Sequence, residues 1–214
     1  MKTIIINGGN IEDDFALHFM QKETYDYVIA VDKGLEFCYQ AGIRPDEMLG
    51  DFDSARPETK NYFEKLSIPV QLYKPEKDQT DMENAMRLAI KRGSSEILVL
   101  GATGTRMDHV LGSIYDLAIA LEAGIPCVLI DSHNRIRMIK KNLVIKKSEQ
   151  YGKYVSILPF GGKVEKITLK GFYYPLNEYQ MQADEGLGIS NEIVDEEAEI
   201  SLGSGRLIVV ESKD

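Results

Sequence analysis

The sequence predicts an α/β protein: an N-terminal, mainly parallel α/β sheet domain over residues 1–131, followed by a smaller all-β sandwich domain over 132–214. Three observations predict it. Apolar strand-like runs alternate with helical patterns up to about residue 131, and such alternation implies a mainly parallel sheet covered on both faces, with right-handed connections. Beyond that point the runs become short and rich in Val and Ile, with glycines between them and no helical period, the pattern of an antiparallel sandwich or barrel. A chain of 214 residues with 43% hydrophobic content can build one large core or two small ones.

In chain order, "TIIIN" (Thr3–Asn7) is a first strand closed by Gly8-Gly9, and "YVIAVD" (Tyr27–Asp32) a second closed by Lys33-Gly34. "EMLGD" is a third and leads to "LGDFDS" (residues 49–54), after which a helix opens at Pro57. "VQLY" (Val70–Tyr73), "EILVLG" (Glu96–Gly101) and "PCVLID" (Pro126–Asp131) complete six strands. Met82, Ala85, Met86, Ala89 and Ile90 form an i, i+3, i+4, i+7, i+8 stripe that stops at Gly93. A second helix is expected from about Arg106 to Ala123. "NRIRMIKKNLVIKK" is a linker or a first hairpin; "YVSILPF", "KVEKITLKG", "EAEISL" and "RLIVVES" are the strands of the second domain.

Composition narrows the function. No basic-led apolar leader and no run near the ~18 residues of a membrane span are present, so neither a secretory signal nor a membrane partner is expected. Cys38 and Cys127 are too few for a disulfide framework and read as reduced core residues of a cytoplasmic protein. With 34 acidic against 25 basic residues and a formal charge of −9, nucleic acid is not an expected partner. The acidic balance suits a cationic small molecule and permits a phosphorylated ligand held through metal ions; surface solubility alone also accounts for it.

Polar and Gly-rich signals follow five of the strands: Asn7-Gly8-Gly9, Asp32-Lys33-Gly34, Asp51-Phe52-Asp53-Ser54, "KPEKDQTDMEN" (Lys74–Asn84) and "GATGTRMDH" (Gly101–His109). Ligands of open α/β sheets bind outside the carboxyl ends of the strands, so these stretches mark a candidate site. In extended backbone, Asp51 and Asp53 would face the same way, about 6–7 Å apart along the chain, and two such carboxylates repel unless a cation lies between them. Mg²⁺ suits hard oxygen ligands and keeps substrate phosphates in its shell. The competing reading is a solvated turn in which Asp53 or Ser54 starts the helix at Pro57. Thr80-x-x-Glu83 is a capping box, which leaves Asp81 either favouring the helix dipole or working on metal or phosphate; it does not account for Asp78. "GATGTRMDH" is neither a Walker A loop nor GxGxxG, yet Gly101 and Gly104 permit close backbone approach, the helix start offers N–H groups to an anion, and Arg106 offers a phosphate fork. Asp108 either completes a cap box with Thr105 or has a functional role, and His109 reads first as structural. His18 and His133 lack zinc-ligand spacing, and no nucleophile elbow occurs.

Taken together and in this order, "GDFDS", "DQTDMENA" and "GATGTRMDH", with the early "NGGN" and "VDKG" and the late "GISN" (Gly188–Asn191), resemble thiamin pyrophosphokinases. The resemblance spans nearly the whole chain. It implies an α/β nucleotide-binding domain before a β-sandwich, and Mg-dependent transfer of the terminal diphosphate of ATP to the hydroxyl of thiamin, giving thiamin diphosphate and AMP. It implies that Asp51, Asp53 and Asp81 hold Mg²⁺ on the triphosphate, with Asp78 and Thr80 in the same nucleotide-facing motif. Arg106 and Asp108 would contact nucleotide and phosphates, and Asn7, Gly8, Gly9, Asp32, Gly34 and Gly101 would border the nucleotide. Ser190 and Asn191 would approach thiamin across the interface of a homodimer whose active sites lie between subunits. Some family members stack thiamin on a Trp of the second domain; this chain has none, and Tyr173, Tyr174 or an aliphatic residue would replace it. Two other readings compete: a metal-dependent sugar-nucleotide transferase using Asp51-Phe52-Asp53, and a non-catalytic nucleotide or thiamin sensor.

Overall fold

The structure is a computed structural model and describes residues 1–50, 52, 55–71 and 79–214. The chain folds as two compact units, Met1–Ser132 and His133–Asp214.

In the first unit, strands and helices alternate: β1 (Lys2–Ile6), α1 (Asp13–Lys22), β2 (Tyr27–Val31), α2 (Gly34–Gln40), β3 (Glu47–Leu49), α3 (Pro57–Lys65), β4 (Val70–Gln71), α4 (Asp81–Lys91), β5 (Glu96–Leu100), α5 (Met107–Glu122) and β6 (Cys127–Ile130). The strands lie in the order β6-β5-β1-β2-β3-β4, and these neighbours pair in parallel. Central strands of a parallel sheet are buried on both faces, and Ile4, Ile5, Ile6, Ile29, Val31, Ile97 and Val99 are all fully buried. The stripe expected on α4 does pack inward: Met82, Ala85, Met86 and Ala89 are buried. Thr80 is its N-cap, accepting from the Glu83 N–H at 3.1 Å. The Glu83 carboxylate turns to Arg87 instead of back to the cap, so half of the expected capping box forms. Residues 72–73, expected to extend β4, lie outside the described residues.

At the amino edge of this sheet, Glu47 is completely buried. It accepts from Tyr27 Oη at 3.0 Å, Gln71 Nε2 at 2.7 Å, and Arg92 Nε and Nη2 at 3.1 and 2.8 Å. Burial opposes its ionisation, but these donors outweigh it and hold the carboxyl below its usual range. Arg92 is the C-cap of α4, so the network ties that helix to the sheet. Cys38 and Cys127 are free and buried; burial pushes both thiols up, Cys38 to about 12, as inert core residues require.

The second unit is a sandwich. One sheet has the order β12-β9-β14-β7, built from β7 (Asn134–Ile139), β9 (Tyr154–Pro159), β12 (Asn191–Glu192) and β14 (Leu207–Ser212). The other, β11-β10-β13-β8, uses β8 (Leu143–Lys146), β10 (Val164–Lys170), β11 (Leu176–Met181) and β13 (Glu197–Ser201). Their pairings are antiparallel. Ile145, Val155, Ile157, Val164, Ile167, Leu169, Ile200, Leu207 and Val209 alternate inward to form the core. "NRIRMIKKNLVIKK" is neither linker nor hairpin: β7 pairs with β14 while β8 pairs with β13 in the opposite sheet. Its break at Lys140–Asn142 lets the chain change sheets. Strand β11 was not expected, because an edge strand with an exposed face carries no apolar alternation. Among the described residues no helix is long and apolar enough to cross a membrane.

Candidate active site

The sheet order reverses between β1 and β5, since β2 flanks β1 on one side and β5 on the other. That reversal opens a crevice at the carboxyl edge of a parallel sheet. Here Asn7-Gly8-Gly9 and Gly101–Thr103 run against one another, with the Asn7 N–H donating to Leu100 O at 2.9 Å, Gly9 N–H to Gly101 O at 2.8 Å and Asn10 N–H to Thr103 O at 2.7 Å. A Cβ on Gly9 would lie 2.3 Å from Gly101 O, and one on Gly101 (φ +68°) would lie 2.3 Å from Asn7 O. Only glycine permits this approach, which brings main-chain groups of both loops to the crevice.

The turn after β2 closes on the same edge. Gly34 is buried, and a Cβ there would sit 2.1 Å from Ile6 O. The Lys33 N–H lies beside Gly8. Asp32 takes φ +45° and donates its N–H to Leu49 O at 3.0 Å. The ends of β1, β2, β3 and β5 are thus knit into one rim holding Asn7, Gly8, Gly9, Asp32, Gly34 and Gly101.

Two helices begin at this edge, because each runs antiparallel to the strands it connects. Asp81 is the first residue of α4 and half-buried, and no described residue bonds to its carboxylate. Arg106 is the N-cap of α5, and its own side chain makes no cap hydrogen bond. The Thr105–Asp108 cap box therefore does not form: the N-cap falls one residue later than the spacing suggested. Asp108 instead accepts from Arg106 at 3.2 and 2.5 Å and from the His109 N–H at 3.0 Å. The Arg106 hydrogen bond, with the others, holds the Asp108 carboxyl below its usual range. Both side chains are about two-thirds exposed, 68% and 65%, so the pair is open to exchange partners with a ligand.

Asp51, Asp53 and Asp78 lie outside the described residues. Phe52, between the first two, is described: it is buried with φ +56°. Its backbone is not extended. No group of three or more His, Cys, Asp or Glu that could hold a metal forms among the described residues. The donor set expected here is carboxylate oxygen, which fits a hard divalent cation, and the unengaged Asp81 carboxylate is consistent with that fit.

Ser190 and Asn191 belong to the second unit. Ser190 has φ +61° and donates its N–H to Ser156 Oγ at 3.0 Å. Asn191 is buried at 6% exposure. Its Oδ1 accepts from the N–H groups of Tyr174 and Glu192 at 3.0 and 2.9 Å, and its Nδ2 donates to Tyr174 O at 2.8 Å. The amide clamps the turn that carries Tyr173 and Tyr174, whose rings meet edge to face at 4.8 Å and stand about 65% exposed. One amide N–H of Asn191 remains for a ligand. The clamp had no sequence signal, since its partners are backbone atoms of a distant turn.

Comparison with known proteins agrees with this geometry. The family model described as "Thiamin pyrophosphokinase, catalytic domain" matches residues 20–129, and "Thiamin pyrophosphokinase, vitamin B1 binding domain" matches residues 140–207. The chain is similar to the thiamine pyrophosphokinase of Bacillus subtilis (strain 168), 35% identical over 217 residues and the whole of both chains. The crystal structure of a Bacillus subtilis thiamine pyrophosphokinase superposes with a TM-score of 0.89 at 34% identity, covering 100% of each chain. That of the Geobacillus thermodenitrificans enzyme superposes with 0.85 at 29% identity, covering 100% of this chain and 98% of its own.

Proposed function

This chain belongs to the thiamin pyrophosphokinase family, and on that premise we propose how its residues move the terminal diphosphate of ATP onto the hydroxyl of thiamin, with thiamin diphosphate and AMP as products. The observation that carries the reading is the rim at the β1/β5 reversal, with α4 and α5 both starting beside it. None of the matched proteins named above is a sugar-nucleotide transferase or a sensor.

In the proposed arrangement the first unit binds ATP. Main-chain groups of Asn7–Gly9, Asp32–Gly34 and Gly101–Thr103 border the nucleotide, with Thr80 and Asp78 close to it. The N-terminus of α5 and Arg106 receive phosphate oxygens, with Asp108 holding Arg106 in place until they arrive. Arg106 stabilises charge on the transferred group. Asp51, Asp53 and Asp81 would hold Mg²⁺, which when bound neutralises phosphate charge and aligns oxygens for displacement. Such chemistry depends on in-line positioning more than on a covalent group from the protein.

The second unit binds thiamin through Ser190, Asn191 and the Tyr173–Tyr174 turn. We also propose a homodimer, with each site shared between one copy's first unit and the other's second. Met107, Leu111 and Tyr115 support it: they lie four apart on α5, immediately after Arg106, and are 62%, 51% and 61% exposed. Leu187, Ile189, Tyr173 and Tyr174 form a comparable exposed apolar set on the second unit. Apolar residues so exposed mark an interaction surface. A cytoplasmic location suits the two free, buried thiols.

Incubation with ATP, Mg²⁺ and thiamin tests the assignment. Thiamin diphosphate plus AMP is expected; thiamin monophosphate plus ADP, or binding without product, contradicts it. Asp51→Asn should cut turnover by more than about 10²-fold, and near-normal rates at saturating Mg²⁺ would remove Asp51 from the metal site.

A further inference from the structure

We propose that Asn84 is a positioning residue: its buried side-chain amide takes the Asp81 carboxylate as acceptor and fixes the orientation in which that carboxylate meets the metal. The inference rests on the reading of Asp81 as a metal ligand. Asn84 lies one turn into α4 and is 4% exposed. Its backbone N–H is spent on Thr80 O at 3.0 Å, but its Nδ2 is buried without a hydrogen-bond partner. A buried donor left unpaired costs stability. Ala85, Met86 and Leu88, its neighbours along the helix, are apolar and buried, and an apolar side chain at position 84 would carry no such cost.

Helix geometry limits what the donor can reach. Side chains on a helix lean toward its N-terminus, so the Asn84 amide leans over the first turn, where the residues three and four positions back are its neighbours. Those are Asp81 and Thr80. The Thr80 hydroxyl oxygen already accepts from the Glu83 N–H at 3.1 Å. The Glu83 carboxylate is held by Arg87 at 2.9 and 2.8 Å. Asp81 is half-buried, and among the described residues its carboxylate is the acceptor of that turn left unspent. A carboxylate has two oxygens, so one can face a cation while the other accepts from the amide. Outer hydrogen bonds of this kind orient a metal ligand and raise metal affinity. The donor and the acceptor thus stand ready one turn apart on the same side of α4.

Binding of ATP to the full chain, followed by titration calorimetry without thiamin, once with Mg²⁺ and once with EDTA, separates positioning from packing. Asn84→Ala and Asn84→Leu should weaken binding of ATP with Mg²⁺ by about tenfold or more and leave binding in EDTA unchanged. In an Asp81→Asn background the same substitutions should add no further loss, because the amide acts only through that carboxylate. The urea midpoint of the unliganded variants should be unchanged or raised, since no hydrogen bond is lost. Wild-type affinity for ATP with Mg²⁺ in both Asn84 variants, alongside weakened binding in Asp81→Asn, would overturn the proposal. An equal loss in EDTA, a further loss in the Asp81→Asn background, or a lower urea midpoint in both variants would also overturn it and make Asn84 a packing residue. Wild-type affinity in Asp81→Asn would instead overturn the metal-ligand reading on which it rests.

Discussion

Asp116 on α5 offers a quantitative test of how this fold tolerates a stranded charge. Its Oδ2 is buried with no hydrogen-bond partner. Desolvation first, then repulsion from Glu83, raise its carboxyl from 3.8 to about 6, although Arg87 pulls the other way. The folded state therefore holds this proton more tightly than the unfolded chain does. Between about pH 4 and pH 6 the folded state binds more protons, so stability falls as pH rises through that window. A shift of about two units corresponds to at most about 3 kcal/mol by pH 7, reduced by solvent screening at this half-buried carboxyl. Asp116→Asn removes the charge and keeps the shape. It should stabilise the protein by up to about 3 kcal/mol near neutrality, or roughly 6–12 °C in Tm for a chain of this size, with the gain vanishing near pH 4. Urea or thermal unfolding of both proteins across this pH range measures it. A variant less stable than wild type at neutral pH, or a difference that does not change with pH, would refute the reasoning.

Three further outcomes are expected. Arg92→Ala should cost about 2–3 kcal/mol in urea unfolding, somewhat less than loss of a fully buried partner because Arg92 is 44% exposed while Glu47 is 0% exposed. Since the Glu47 carboxyl is held low, its contribution is present above its unfolded value of 4.5 and is lost as pH falls through its folded value, so the mutational cost should shrink in acid. Asn191→Ala, which strips two bonds from the Tyr174 backbone, should raise the KM for thiamin while leaving that for ATP nearly unchanged; equal effects on both would argue for general unfolding. Mixing Asp81→Asn with Asn191→Ala should give hybrid dimers more active than either parent, and no gain on mixing would count against sites shared between copies.

Much of the fold was legible because it depends on local period and punctuation. The α4 stripe, the six apolar runs of the first unit and the Val/Ile-rich runs of the second each declare their element over a few neighbouring residues. Strand β11 escaped because an edge strand need bury only one side, and "LNEYQM" buries little. The segment 134–146 was ambiguous because its sheet membership is set by partners far along the chain, β14 and β13. The candidate site divides in the same way. Asn7–Gly9 and Gly101 were found as glycines after strands, whereas the Thr105–Asp108 cap was misplaced because two cap positions one residue apart look alike in sequence.

By itself, the sequence determined the succession of elements, the chemistry available at each strand end, and the ordered motifs that mark the family. These are properties of short stretches and their order. Only the tertiary structure decided which groups are stranded and which are satisfied. Glu47 finds Arg92 45 residues away, Asn191 spends its amide on the backbone of Tyr174, Asp116 Oδ2 is buried without a hydrogen bond, and Phe52 is buried in left-handed backbone. Burial, hydrogen-bond partnership and strain belong to the packed chain, because each depends on atoms that only folding brings within a few ångströms.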